Sequence, residues 1–302
     1  MWLLSSCLRF KIPFKKLFPF SLFSFQRNNL TLIIFLLFIT PIFSQKHKIA
    51  DLPTHLNEIS GLVFLNDTVL VAHNDGGDEP LLYFLNLKGE QFHQVRIENA
   101  TNVDWEDITT DGKGTLYIAD IGNNLNNRRD LCVYKVFDSL LLQKEKVTAE
   151  IIRFSYHDQM AFPPDSKNLH YDAEAIAYLN DSLYIYTKCR TIPWDGISLC
   201  YSLPTKGGEY VATKKTALVI GMTGWQLDSV TAADIKNGKC YLLTYNRVIT
   251  YSIEPDQLLF VDKTILLPIK QFEAITVNSE GHVFVANEKR KHLGGPSLYL
   301  LK

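Results

Sequence analysis

The chain has 302 residues, of which 46% are hydrophobic and 12% aromatic, enough for one large core or two small ones. Gly and Pro number 16 and 12, ordinary levels that exclude a collagen-like or low-complexity chain. The formal net charge of −1 hides an asymmetry: residues 1–29 carry Arg9, Lys11, Lys15, Lys16 and Arg27 and no acid.

The apolar run LTLIIFLLFITPIF, Leu30 to Phe43, follows that basic segment. Its length matches the h-region of a secretory signal and is short for a membrane span. Ser44 offers a small residue for cleavage before Gln45. Residues 1–44 therefore read as a signal peptide, and 45–302 as the mature domain, secreted or periplasmic and without a stable membrane span. The absence of a Cys just after the run argues against a lipoprotein anchor. Without residues 1–44, Lys+Arg drops from 31 to 26 while Asp+Glu stays at 32, about −6 overall. An acidic chain of this kind excludes nucleic acid as the expected partner. Four cysteines remain: Cys132, Cys189, Cys200 and Cys240. Their spacing matches no zinc pattern. Cys189 and Cys200 read as lying on adjacent strands, where a disulfide is one of two outcomes in an oxidising compartment. Cys132 and Cys240 read as buried thiols.

Helix-period segments are lacking. Short β-rich apolar runs alternate with turn clusters instead, which predicts an all-β fold. Five stretches repeat: EISGLVFLNDTVLVAHNDG from Glu58, EDITTDGKGTLYIADIGNN from Glu106, EAIAYLNDSLYIYTKCR from Glu174, TAADIKNGKCYLLTYNR from Thr231 and EAITVNSEGHVFVANEK from Glu273. Each is a strand, a tight turn and a second strand, and the N-D, D-G and N-G pairs are hairpin chemistry. Further strands follow: LLYFLNL and QFHQVRI, LCVYKVF and AEIIRFSY, SLCYSL and TALVIG, VITYSI and KTILLPI. Four strands per unit, repeated, predict a single β-propeller of about five blades. A six-bladed count stays open because the second unit is 68 residues long, although its HDQMAFPPDSKNLHY segment reads as a loop. The last unit has only three strands before SLYLLK ends, so KIADLPT (Lys48 to Thr54) is expected to close it as the outer strand. A β-sandwich does not predict five similar hairpins.

Aligning the hairpins puts Ser60, Glu106, Glu174, Thr231 and Glu273 at one equivalent inner-strand position. Inner strands line the channel of a propeller, so these five converge. Three carboxylates and two hydroxyls in one ring call for a cation, and oxygen-only ligands suit Ca²⁺. The bland alternative is that they cap the channel and bind water or backbone. Asp104 and Asp172, each two residues before a ring glutamate, add charge. The loops after the second strands surround the same face. They carry Asn74, Asn123, Arg128, Arg129, Lys188, Arg190, Arg247, Lys289 and Arg290, which could bind an anionic ligand. His73, Asp75 and Asp120 could orient a water. His55, His93, His157 and His170 show no metal spacing and read as loop or surface residues.

Two resemblances follow. HNDGG, DWEDI, LYIADIGNN, RRD, DAEA and FEAI together resemble a group of bacterial secreted propeller proteins, which implies the fold and no activity. More distantly, EISGL followed by HNDGG is similar to the calcium-activated nucleotidases (secreted apyrases), five-bladed propellers with a central Ca²⁺. That likeness implies the same ring as ligands. It weakens at the phosphate-handling loop, where Asn74–Asp75 replaces an acidic pair, Gly76 stands in place of an Arg, and Gly122-Asn123-Asn124-Leu125 replaces a Gly-Lys-Glu-Trp turn. Two functional readings result. One is a calcium-dependent hydrolase of a phosphorylated or otherwise anionic small molecule. The other is a non-enzymatic module that binds a glycan, peptide or protein around a structural metal.

Overall fold

Hairpin turns come first. Asn180 and Asp181 in LNDS, and Asn237 and Gly238 in KNGK, all have positive φ, the geometry that reverses two twisted strands over two residues. A computed structural model of the chain describes residues 46–137, 141–255 and 257–302. The expected signal peptide lies outside these residues. Among them, no helix is long and apolar enough to cross a membrane.

The strands pair in five antiparallel sets of four. The first holds β2 (Ile59–Asn66), β3 (Val69–Asn74), β4 (Leu81–Asn86) and β5 (Gln91–Ile97). The second holds β6 (Trp105–Thr110), β7 (Thr115–Asp120), β8 (Cys132–Phe137) and β10 (Glu150–Tyr156). The third is β11 (Asp172–Leu179), β12 (Ser182–Lys188), β13 (Ile197–Pro204) and β14 (Gly208–Val219). The fourth is β15 (Val230–Lys236), β16 (Lys239–Thr244), β17 (Arg247–Glu254) and β18 (Gln257–Ile265). The fifth is β19 (Phe272–Val277), β20 (Val283–Asn287) and β21 (Ser297–Leu301), completed by β1 (Lys46–Asp51), which pairs antiparallel with β21. The N-terminal strand thus closes the last set, as the sequence predicts. The segment 157–171 carries no strand.

Two pairings were not legible. The short β9 (Lys146–Val147) adds to β5 in parallel. The outer strands β10 and β14 also pair in parallel, from Ile152–Gly208 to Tyr156–Ala212, and join the second and third sets into eight strands. β14 starts well before TALVIG: its first half, GEYVATKK, is mostly exposed and has no apolar run to announce it.

Apolar side chains pack between consecutive sets and between the last and the first. Phe64 and Phe284, for example, meet edge-on between the first and fifth sets. The inner strands β2, β6, β11, β15 and β19 pack side by side and close a ring. They share no backbone ladder, so side chains staple them. Thr109 Oγ1 accepts from Tyr178 N at 3.1 Å, Asp234 Oδ2 from Val277 N at 2.7 Å, and Thr276 Oγ1 from Phe64 N at 3.2 Å. Asp107 reaches furthest. Its Oδ2 accepts from Ile176 N at 2.9 Å and Ala233 N at 3.1 Å, tying β6 to both β11 and β15.

Cys132, Cys189, Cys200 and Cys240 are free thiols. Of the two outcomes left open for Cys189 and Cys200, the structure has the free thiols. β12 and β13 are adjacent as expected, but Tyr186 stands opposite Cys200, and Cys189 lies past the end of the pairing.

Candidate functional site

Each inner hairpin carries a β-bulge near its start. The register skips Ser60 between Ile59 and Gly61, Glu106 between Trp105 and Asp107, Glu174 between Ala173 and Ala175, Thr231 between Val230 and Ala232, and Glu273 between Phe272 and Ala274. A bulge turns its residue out of the pleat and re-aims the side chain. The five residues aligned from sequence are thus the five bulge residues. Four of them, Ser60, Glu106, Glu174 and Glu273, line one cavity of about 180 Å³. Thr231 is buried outside that lining, and its hydroxyl donates to Phe272 O at 2.9 Å.

The rest of the lining comes from the loops after the second strands. Asp75 follows β3, Asn124 follows β7, Lys188 and Arg190 end and follow β12, Tyr245 follows β16, and Glu288 and Arg290 follow β20. Glu58 and Gln271 complete the polar wall. Six carboxyl groups thus face three cations across one small space. A larger cleft of about 550 Å³ lies by Tyr184, Lys215 and Pro255, but Glu254 is the one carboxylate in its lining.

The cations are committed. Lys188 Nζ sits 2.9 Å from Glu174 Oε2, with both side chains buried, and 5.2 Å from the Tyr245 ring. Burial pulls the ammonium down, but Glu174, Tyr245 and Glu273 outweigh it and hold Lys188 well above its usual value. Arg190 pairs with Asp172 at 2.6 Å and reaches Glu174 at 3.5 Å. Arg290 pairs with Glu288 at 2.7 Å and donates to Gln271, which itself donates to Glu273 Oε1 at 2.7 Å.

Three carboxylates have no such partner. Oxygens of Asp75, Asp104 and Glu106 lie within 4.8 Å of one another. Among the described residues, no lysine or arginine stands within salt-bridge distance of any of them. Burial, then repulsion from Glu174, Asp75 and Asp104, pushes Glu106 well above the usual carboxylate range. Burial and Asp172 raise Asp104. Asp75 opens to solvent at the mouth, yet the protein crowded around it and the nearby Asp104 and Glu288 push it up to about 6. Two glycines let the backbone close on this cluster. A Cβ on Gly122 would lie 2.2 Å from Glu106 Oε1 and 2.3 Å from Asp104 Oδ2, and one on Gly76 would lie 2.4 Å from Asp104 Oδ1.

The other expected site residues lie elsewhere. His73 is fully buried against Gly61 and edge-on to Trp105 at 5.4 Å, with Nδ1 at 2.9 Å from Asn74 O, and burial lowers it to about 4. It is a neutral core group. Asp120 braces the loop: it accepts from Val103 N, Asp104 N and Arg128 Nη2. Asn74 donates to His55 O and Asp78. Asn123 holds Tyr171 O and is held by Asp172, while Arg128 grips Asp120 and Gly122 O. Arg129 stacks on Phe162 at 3.7 Å, Arg247 pairs with buried Asp228, and Lys289 is exposed outside the lining. Tyr245, Gln271 and Glu288 are cavity residues the sequence reading passed over. In TYNR and NEKRK it favoured the formal positive charge, whereas the chain turns Tyr245 and Glu288 inward.

No family model matches the chain, and no curated protein matches it in sequence. Among solved structures it is similar to the glutaminyl cyclase of Myxococcus xanthus, at 15% identity and a TM-score of 0.52, over 86% of this chain and 96% of that one. The fold is a β-propeller. Weaker likenesses within the same fold are the PQQ-bound aldose sugar dehydrogenase of Streptomyces coelicolor (10% identity, TM-score 0.49, 85% and 97% covered) and a gluconolactonase of Xanthomonas campestris (11%, 0.46, 85% and 89%).

Proposed function

We propose that this propeller binds a hard divalent cation, Ca²⁺ foremost, in its central cavity and, beside it, a small oxygen-rich molecule. The convergence of Asp75, Asp104 and Glu106 without a paired cation carries this reading. Carboxylate oxygens suit Ca²⁺, which accepts bidentate ligands and fills its remaining positions with water. Ser60, Glu174 and Glu273, the other bulge residues of the cavity, stand nearby. When bound, the ion would offer Lewis-acid polarisation of a ligand oxygen.

The anionic-ligand expectation narrows accordingly. Lys188, Arg190 and Arg290, the cations among the described residues of the lining, are each neutralised by a carboxylate, so an anion in the cavity meets no unpaired one. It would enter only as a ligand of the metal. A side chain at position 76 would run into Asp104, so the backbone there leaves no room for a phosphate-handling arginine. A cleft of about 350 Å³ shares Tyr245, Gln271 and Arg290 with the cavity and adds Trp225, Ile269 and Leu293. It gives a ligand's apolar part a place beside the polar cavity.

Hydrolysis is the second reading. Asp75, the solvent-facing carboxylate at the cavity mouth, supports it as the group placed to hold a water. Of the three residues expected to orient water, it alone lines the cavity.

Calorimetric titration of chelator-treated protein with Ca²⁺ tests the proposal. One equivalent of heat is expected for the wild type and none for Asp104→Asn. A wild-type protein that takes up no Ca²⁺ would sink the reading. Gly122→Ala should keep the fold, since its φ is ordinary and the atoms it meets are side-chain tips. It should weaken Ca²⁺ by about 10-fold or more by displacing both carboxylates. Unchanged affinity in that variant would place the ion elsewhere.

A further inference from the structure

The β12–β13 loop and the segment 157–171 bring three chemically different side chains together outside the central cavity. Asp195 Oδ1 accepts from Cys189 Sγ at 3.1 Å, and Asp195 Oδ2 lies 3.1 Å from His170 Nε2. One ligand atom from each of the three falls within 4.8 Å of the others. Cys189 is buried, while the His170 and Asp195 side chains are 14% and 36% exposed, so solvent reaches one side of the cluster. His170 Nδ1 is buried without a hydrogen-bond partner.

The order of the groups excludes a cysteine nucleophile of the usual kind. There an imidazole must stand between thiol and carboxylate to take the thiol proton. Here the carboxylate stands in the middle. Three donors around a common space are a metal arrangement instead. The loop is set in advance: Asp195 N donates to Thr191 Oγ1 at 3.1 Å and Ile197 N to Asp195 Oδ1 at 3.0 Å. Arg190 N and Ile192 N tie it to Leu169 O and Ser166 O across the other segment.

We infer that His170, Cys189 and Asp195 form a site for a borderline-soft transition-metal ion, Zn²⁺ foremost, with nitrogen, sulfur and oxygen ligands and the fourth position left to water. Zn²⁺ takes this mixture in tetrahedral geometry, whereas the all-oxygen cluster of the cavity suits Ca²⁺. Thiolate and carboxylate balance the ion's charge, and the thiol proton leaves to solvent on binding. The site matters to the cavity because Arg190 adjoins Cys189 and reaches Asp172 and Glu174. An ion there fixes the loop that delivers Arg190. Spacing gave no hint of it, because the ligands come from two loops that only the fold brings together.

Cobalt titration decides the matter. Co²⁺ added to chelator-treated protein should give one equivalent of a thiolate-to-cobalt charge-transfer absorption, removed by stoichiometric Zn²⁺. Cys189→Ser should abolish the band, although Cys132, Cys200 and Cys240 remain. Asp195→Asn and His170→Ala should weaken Co²⁺ by more than the roughly 10- to 100-fold lost with a merely supporting group. Glu106→Gln should leave the band unchanged, which separates this site from the cavity. A wild type without the band, or Cys189→Ser retaining it, overturns the assignment. Should Cys189→Ser fail to fold, wild-type affinity in folded His170→Ala overturns it equally.

Discussion

Asp107→Ala should be among the most destabilising single changes in the molecule. Asp107 follows the bulge residue of β6, where the other inner strands carry Gly61, Ala175, Ala232 and Ala274. A small side chain lets the inner strands approach at that position. Asp107 alone fills the space and accepts backbone N–H groups of Ile176 and Ala233, from two other sets, and of its neighbour Ile108 at 2.8 Å. It is wholly buried, and burial raises its carboxyl well above the usual range. Alanine fits sterically but strands two distant donors. At about 1–3 kcal/mol for each buried unsatisfied group, the loss is roughly 2–6 kcal/mol. Asp107→Asn keeps one acceptor and turns a donor toward the remaining N–H, so it should lose an intermediate amount. Urea denaturation of the three proteins measures this. A loss below about 0.5 kcal/mol for alanine, the scale of ordinary surface changes, would show that the inner ring holds without the staple.

Lys188→Met should come next. Lys188 and Glu174 are 5% and 6% exposed by side chain, so removing the ammonium strands a buried carboxylate with only the 3.5 Å contact of Arg190. Breaking a buried pair on one side costs about 3–5 kcal/mol. The double variant Lys188→Met/Glu174→Gln should recover much of it, because no charge is left unpaired. Chemical denaturation of the four proteins closes the cycle. Additive losses would mean that the two groups do not interact energetically, and the cavity's charge balance would have to be redrawn.

The fold was legible because its signals are local and repeated. Hairpin turns such as LNDS and KNGK carry positive-φ residues at fixed offsets, and five of the hairpins align on one bulge position. Even the closing strand was legible, since SLYLLK left a set one strand short. The missing part was what local pattern cannot carry. GEYVATKK is a mostly exposed strand segment without an apolar run. The parallel β10–β14 pairing depends on how two sets lie beside each other.

The site divides on the same line. That Ser60, Glu106, Glu174 and Glu273 converge on one cavity was legible because a repeat puts equivalent residues in equivalent places. The loop residues have no repeat to align them, and formal charge proved a poor guide there. Arg128, Asp120 and Asn123 serve as braces, and His73 packs against Gly61. DWEDI illustrates the limit: Asp104 and Glu106 join the unpaired cluster, Trp105 enters the core and Asp107 staples three inner strands. Only alternation along the strand separates these roles, and only the fold shows which face is which.

Thermal unfolding of wild type and Glu106→Gln, each with Ca²⁺ and with EGTA, tests the metal-centred cavity most directly. A ligand that binds only the folded state raises the transition as ln(1+[L]/Kd), while removing one of three crowded carboxylates relieves repulsion in the metal-free protein. The wild type should therefore melt higher in Ca²⁺ than in EGTA. Glu106→Gln should melt above the wild type in EGTA and show no Ca²⁺ shift. A wild type indifferent to Ca²⁺, or a Glu106→Gln protein that keeps the full shift, would contradict a cation held by Asp75, Asp104 and Glu106.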